Sequence, residues 1–345
     1  MRKLRGTVVI AASVAVIAAS LLATAGSAGT NGIAAGNIAF AGIDASDGMS
    51  DIFVMKSDGS GASNITQDNE VRKDVSPAWS PKGDKIVFTR HLVNSKGSHV
   101  MLVNPDGSGL RNLTAPTTSG SSNIDPSWSP DGRLVVFASN RDGNYDLYTI
   151  KPGDTQAYRL TKTSAPVQNV DPTWSPSGNA IVFSRSGLSA LSPSADLFQI
   201  HLATEQVGRL TNSGHGLGDR GPVFSPSGTE IAFHSDRAGA GNDDVYVLHL
   251  DGKQLKRVAA WQKSDAMPSY SPDGSSLVFV STRSGATELW VQDLRTIGPT
   301  ASQPVQVTND RQFKSNPSWG YAPDVQTVPL PSDAKPVLAS AKPAL

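Results

Sequence analysis

Six aromatic residues, each two positions after a proline, recur at near-equal intervals: Trp79, Trp128, Trp174, Phe224, Tyr270 and Trp319, spaced 49, 46, 50, 46 and 49 residues apart. Five of them continue as Ser-Pro-x-Gly, as in Ser129-Pro130-Asp131-Gly132, whereas Trp319 is followed by Gly320-Tyr321. Three further markers keep step. An apolar triplet begins as Ile38-Ala39-Phe40 and Ile86-Val87-Phe88 and ends as Leu277-Val278-Phe279. An acid followed by apolar and aromatic residues recurs, as in Asp146-Leu147-Tyr148 and Glu288-Leu289-Trp290, and becomes His99-Val100-Met101 in the second unit. Units close on triplets such as Arg159-Leu160-Thr161 and Arg209-Leu210-Thr211, with Arg257-Val258-Ala259 in the fifth. A period of this size belongs to a solenoid or a propeller, in which no unit can bury its apolar face alone.

Each unit reads as four short strands. Pro-x-Trp opens the first, where a residue without an N–H suits an edge or a strand start. Ser-Pro-x-Gly fits a type I turn, with Pro at the second position and Gly at the fourth. The triplet occupies the second strand; successive residues face opposite sides, so both faces must be buried. Asp58-Gly59, Asp106-Gly107 and Asp251-Gly252 mark hairpins between the third and fourth strands. The phase of the repeat matters most. The chain begins with a second strand near Asn37 that has no Pro-x-Trp strand before it, and ends with a Pro-x-Trp strand near Asn316 that has no second strand after it. The expected fold is therefore an all-β six-bladed β-propeller of four-stranded antiparallel blades, the C-terminal strand closing the ring on the N-terminal ones. Gly 32 and Pro 23 in 345 residues, with 17% charged residues, suit such a turn-rich chain.

Arg2, Lys3 and Arg5 precede an uncharged, largely apolar stretch ending in Ala23-Thr24-Ala25 and Gly26-Ser27-Ala28. This is the pattern of a secretory signal peptide over residues 1–28, cleaved after Ala25 or Ala28, or else retained as an anchor. An exported protein, periplasmic or extracellular, is expected. The propeller is assigned to 36–320. Residues 321–345, with Pro323, Pro329, Pro331, Pro336 and Pro343, read as a flexible Pro/Ala-rich tail. Thirty basic against thirty acidic side chains argue against a nucleic-acid binder, and the absence of cysteine removes disulfides and thiolate chemistry.

These units resemble the β-propeller repeat of the TolB family, which runs roughly Pro-x-Trp-Ser-Pro-Asp-Gly, apolar triplet, Ser-x-Arg-x-Gly, Asp-Ile-Tyr, Leu-Thr. Arg141, Arg237 and Arg283 match its arginine, and Arg90 and Arg185 sit two positions early. The resemblance is to the propeller only, without the α/β domain that precedes it in TolB. It implies a fold rather than a function, because propellers host many activities.

Candidate chemistry lies where the repeat is broken. The residues before the strand-opening prolines are Ser76, Asp125, Asp171, Gly221, Met267 and Asn316, which a propeller would array around its channel mouth. Asp125 and Asp171 stand on consecutive repeats and could share a Ca²⁺ ion; the simpler reading has each accepting local backbone hydrogen bonds. The variable loops leading into these strands concentrate charge, with Arg72, Asp74, His215, Asp219, Arg220, Asp265 and Lys314 among the candidates for a binding face; a solvated rim is the alternative. Pairs such as Arg141 with Asp146 and Arg283 with Glu288 read as hairpin ion pairs. The recurring aromatics read as inter-blade packing rather than a sugar platform. The histidines show no metal spacing, and His234 reads as structural. The expectation is a monomeric, non-catalytic module for a protein or peptide partner, without a resident cofactor. The alternative is a carbohydrate-binding or carbohydrate-active propeller, of glycosidase or lyase type, using Asp125 and Asp171.

Overall fold

In the computed structural model the described residues are 35–321, save 69, 93–96, 116–119, 188–193, 215, 240, 253 and 296–302. The residues read as a signal peptide (1–28) and as a tail (all after Tyr321), and His215, therefore lie outside the described residues. Those residues form strands and turns with no helix among them, and so none long and apolar enough to cross a membrane.

The chain opens with β1 (Asn37–Ile43), β2 (Ser50–Lys56) and β3 (Ser63–Asn64). There follow β4 (Arg72–Trp79), β5 (Ile86–Leu92), β6 (Ser98–Val103) and β7 (Arg111–Asn112). A four-stranded sheet holds β8 (Asn123–Trp128), β9 (Val135–Ser139), β10 (Asp146–Ile150) and β11 (Tyr158–Arg159). The next holds β12 (Gln168–Trp174), β13 (Ala180–Ser186), β14 (Ala195–His201) and β15 (Gln206–Arg209). A third holds β16 (Asp219–Phe224), β17 (Glu230–Ser235), β18 (Asp244–His249) and β19 (Leu255–Ala259). A fourth holds β20 (Asp265–Tyr270), β21 (Ser276–Ser281), β22 (Glu288–Asp293) and β23 (Val305–Gln306), and β24 (Lys314–Gly320) ends the described strands.

The architecture is an all-β propeller with four-stranded antiparallel blades. β24 runs antiparallel to β1, pairing Asn37 with Gly320 and Ile38 with Trp319. The remaining strands form one continuous eight-stranded sheet, ordered β24-β1-β2-β4-β5-β6-β7 with β3 on β2. This differs from uniform sheets of four strands, and a single residue pair is the reason. Ser50 of β2 bridges Lys73 of β4 in the parallel sense.

The five Ser-Pro-x-Gly segments make the expected tight turns. Gly132 N–H, for example, donates to Ser129 O at 2.9 Å, and Gly132 takes a left-handed φ of 69° that a β-carbon disfavours. The turn serine also accepts the N–H that starts the next strand, as Leu134 does on Ser129 Oγ at 2.9 Å. Alternation then sorts the apolar triplet. Ile38 and Phe40 pack with Val278, Leu289 and Trp319, whereas Ala39 and Ala41 pack with Trp79, Ile86 and Phe88. Each apolar cluster thus draws on two consecutive stretches of the repeat, and its large aromatic fills the seam between them. Burial of this kind stabilises by about 25 cal/mol per Å² of apolar surface removed from water.

Candidate functional site

The Pro-x-Trp strands β4, β8, β12, β16, β20 and β24 touch one another in that order, and β24 touches β4. They surround a central channel of about 550 Å³. Each meets its neighbouring strand with a register shift at the same place. Between the pairs Val75–Thr89 and Ala78–Val87, two residues of β4 oppose one of β5. That is a β-bulge, which re-aims a side chain. The residue at every such bulge, the one before the proline, has a left-handed backbone: φ is 52° at Ser76, 53° at Asp125, 51° at Asp171, 58° at Gly221, 55° at Met267 and 47° at Asn316. Only one of these is glycine, and the conformation costs of order 1–3 kcal/mol at the others. The surrounding fold must hold it, and three of the bulges show how. The bulge N–H donates to a side chain on the preceding blade, in the position just after the apolar triplet. Asp125 N–H meets Thr89 Oγ1 at 3.0 Å, Gly221 N–H meets Ser184 Oγ at 3.2 Å, and Met267 N–H meets His234 Nδ1 at 3.4 Å.

All six bulge residues line the channel and are half-buried. They also bond around the ring. Ser76 Oγ–H donates to Asp125 Oδ1 at 3.0 Å, Gly221 N–H to Asp171 Oδ2 at 3.3 Å, and Asn316 N–H to Met267 Sδ at 3.3 Å. Asp125 and Asp171 line the channel on neighbouring strands and act on one another. Burial first, and the Asp171 charge second, push the Asp125 carboxyl up to about 8, so at neutral pH Asp125 is protonated. The other charged group of the channel is Arg220, and His234 stands beside it; burial is the first cause holding the His234 imidazole below its ordinary value, and the Arg220 charge pushes the same way.

Ca²⁺ takes six to eight oxygens, and two carboxyls, of which Asp125 is protonated at neutral pH, form a poor shell for it. No group of three or more His, Asp or Glu converges among the described residues.

Several expected surface residues are interior. Arg72 is 1% exposed, with Asp51 at 2.6 Å, Asp74 at 2.8 Å and Asp68 at 2.9 Å. Asp74 and Arg90 form a two-pronged pair at 2.8 Å. Asp219 is held by Arg237 and Ser235, Asp265 by Arg283 at 2.6 Å, and Lys314 by Asp310 at 2.5 Å. Arg72, Asp74, Asp219, Asp265 and Lys314 are thus buried ion-pair partners that tie loops to strands, not a charged rim offered to a ligand. The hairpin pairs are also corrected. Arg141 Nη2 donates to Asn123 Oδ1 at 2.8 Å while Asp146 takes Arg159 at 2.6 Å; Glu288 takes the Thr308 hydroxyl and the Arg311 N–H.

His234, which the sequence reads as structural, lines the channel, and three apolar residues were missed. His234 stands where the other repeats carry Thr89, Ala138, Ser184 or Val280, so the same break in pattern that singles out Asp125 could have found it. Val71, Trp261 and Phe313, on loops leading into β4, β20 and β24, are each about half exposed (50%, 50% and 51%). The recurring tryptophans are instead buried, and the indole N–H groups of Trp79, Trp128, Trp174 and Trp319 have no partner among the described residues. They are packing residues.

A sequence profile described as the TolB beta propeller domain matches residues 29–217 and 219–328. Among solved structures, TolB from Acinetobacter baumannii is similar at 19% identity, with a TM-score of 0.68 over 83% of this chain and 67% of that one. A putative TolB from Agrobacterium tumefaciens has 18% identity, a TM-score of 0.58, and coverage of 84% and 99%. An oligogalacturonate lyase in complex with manganese has 17% identity, a TM-score of 0.51, and coverage of 80% and 74%. At these identities the likeness is one of fold. No curated protein sequence matches the chain.

Proposed function

The chain belongs to the TolB beta propeller domain family, and from that premise we propose that it is an exported, six-bladed binding module that takes a protein or peptide partner at the channel mouth and on the loops around it. The blade count rests on the seam between β2 and β4. The parallel bridge Ser50–Lys73 has counterparts between other consecutive blades, at Ser98–Ser122 and Ala195–Gly218. Treating all three as contacts between blades divides the eight-stranded sheet into β24-β1-β2-β3 and β4-β5-β6-β7. Export follows from residues 1–28, and the mature chain is a monomer in this reading.

One observation carries the binding reading: five non-glycine residues are held in a costly backbone conformation, and all of them deliver side chains to one annulus. Strain of this kind gathers at ligand sites. Trp261 and Phe313 supply exposed aromatic surface on loops of the same face, the residue types that anchor interfaces. The carbohydrate alternative would use the same two carboxyls, Asp125 and Asp171, at the mouth, and its glycosidase form needs them roughly 5–9.5 Å apart.

The test is affinity capture from envelope extract of the source cells, using the mature protein beside Asp125→Ala/Asp171→Ala and Trp261→Ala/Phe313→Ala variants. Enrichment of one protein by the wild type, weakened in both variants, is expected. Retention of polysaccharide with no protein partner would transfer the reading to a sugar ligand.

A further inference from the structure

Arg220 is the one arginine lining the channel, and among the described residues its side chain has neither a hydrogen-bond nor an ion-pair partner. Six other arginines are committed. Arg90, Arg159, Arg209, Arg237, Arg257 and Arg283 each hold a carboxylate at 2.8 Å or less. The place of Arg220 is nonetheless shaped for it. Its guanidinium lies over Gly218, where a β-carbon would stand 2.2 Å from Nη2, so glycine leaves the room it occupies. Gly218 is in turn pinned by its N–H on Asp236 Oδ1 at 2.6 Å. A half-buried guanidinium, with five N–H donors in a planar fork, suits a planar anion.

The neighbours of Arg220 are donors too. His234 Nδ1 accepts the Met267 N–H, so the neutral imidazole carries its proton on Nε2. His234 lines the same channel, and a β-carbon on Gly221 would stand 2.9 Å from its Cε1. Asn316 adds an amide to the lining. The acids of the channel are Asp125 on β8 and Asp171 on β12, and Asp171, Asp219 and Asp243 act on His234.

We propose that the channel mouth receives a carboxylate of the peptide partner, from an acidic side chain or a free C-terminus, on the Arg220 guanidinium with His234 Nε2–H as a second donor. The inference rests on the peptide-binding reading and narrows it to an acidic ligand group. It also fixes the sign of the pH dependence. Losing the Asp125 proton places a second negative charge in the mouth, so a carboxylate must bind more weakly as pH rises through about 8. A cation would bind more tightly over the same interval.

Three peptides separate the sources: acetyl-Ala-Glu-Ala amide, acetyl-Ala-Gln-Ala amide, and acetyl-Ala-Ala-Ala with a free C-terminus. Each is titrated into the mature protein while the His234 ring protons are followed by NMR, at pH 6.5 and pH 9. The expected result is saturable binding of the Glu peptide, the free-terminus peptide or both, with the Gln amide at least tenfold weaker. Arg220→Gln should lose at least tenfold and Arg220→Lys less, with unchanged thermal midpoints, and affinity should fall several-fold at pH 9. Equal binding of the Glu and Gln amides, indifference to Arg220→Gln, affinity rising with pH, or no binding by any of the three overturns the inference. If envelope capture still depends on Asp125 and Asp171 after such a result, the binding reading stands without it.

Discussion

Asp125 shows how one side chain can tie the stability of the ring to pH. Its carboxyl sits in the folded protein near 8 instead of the usual 3.8, because burial and Asp171 both penalise the charge. Between those values the folded state binds a proton that the unfolded state has lost, so stability falls as pH rises. The contribution is fully present below the usual carboxylate range and is lost by passage through about 8. Each unit of effective shift is worth about 1.4 kcal/mol, reduced here by the open side of the channel. Urea unfolding at about pH 5 and about pH 9 should therefore show a lower midpoint at the higher pH, and Asp125→Asn should flatten the difference. An unchanged slope in that variant would place the pH dependence elsewhere, in Asp74 or Asp265, whose carboxyls burial also pushes up.

At the scale of the strand, the threonine that closes most units is the informative element. Thr161 Oγ1 accepts the Leu147 N–H at 2.9 Å and donates to Asp146 Oδ1 at 2.8 Å. Thr211 Oγ1 likewise takes the Leu197 N–H at 3.0 Å. In the fifth unit the residue is Ala259. The buried Asp244 opposite it has no threonine donor, and Arg257 Nη2 at 2.6 Å is its counter-charge. Ala259→Thr should supply the missing donor and stabilise by about 1 kcal/mol, read as a raised thermal midpoint; a lowered one would mean the site has no room for the branch.

Elements of this kind were legible in the sequence because each marker does one local job. Pro starts a strand, Ser-Pro-x-Gly turns it, and three apolar residues in a row announce two buried faces. The left-handed bulges were not legible, since a residue before proline ordinarily favours an extended backbone, and what holds Asp125 and Gly221 is a hydroxyl on the neighbouring blade. Charge in the loops misled for a related reason. Arg72 and Asp265 look solvated until partners 21 and 18 residues away enclose them. Asp125 stands out because it breaks the pattern, as His234 also does, and Arg220 because it adds charge to a variable loop.

For the whole molecule the decisive contact is the one between its ends. Gly107 lies against Ile65 O of the preceding blade, where a β-carbon would stand 2.9 Å away, and Gly59 lies against Val307 O, where the distance would be 2.1 Å. The junction of the first and last repeats thus has the same form as a junction within the chain. Gly59 has a φ of +87° and Gly143 one of +93° with nothing within 4 Å of an added β-carbon. Gly143→Ala should cost only the backbone strain, of order 1–3 kcal/mol, while Gly59→Ala should cost more by the strength of the closure. Equal losses in chemical denaturation would show a ring that does not depend on that contact.

The pairing of Asn37 with Gly320 also sets an order in time. A ribosome delivers β1 first and β24 last, so the blade begun earliest is the one finished latest, after every intervening strand has been made. Until then β1 carries an open edge that any passing strand can match, and contacts between such distant residues form slowly. The ring cannot close before β24 has been made.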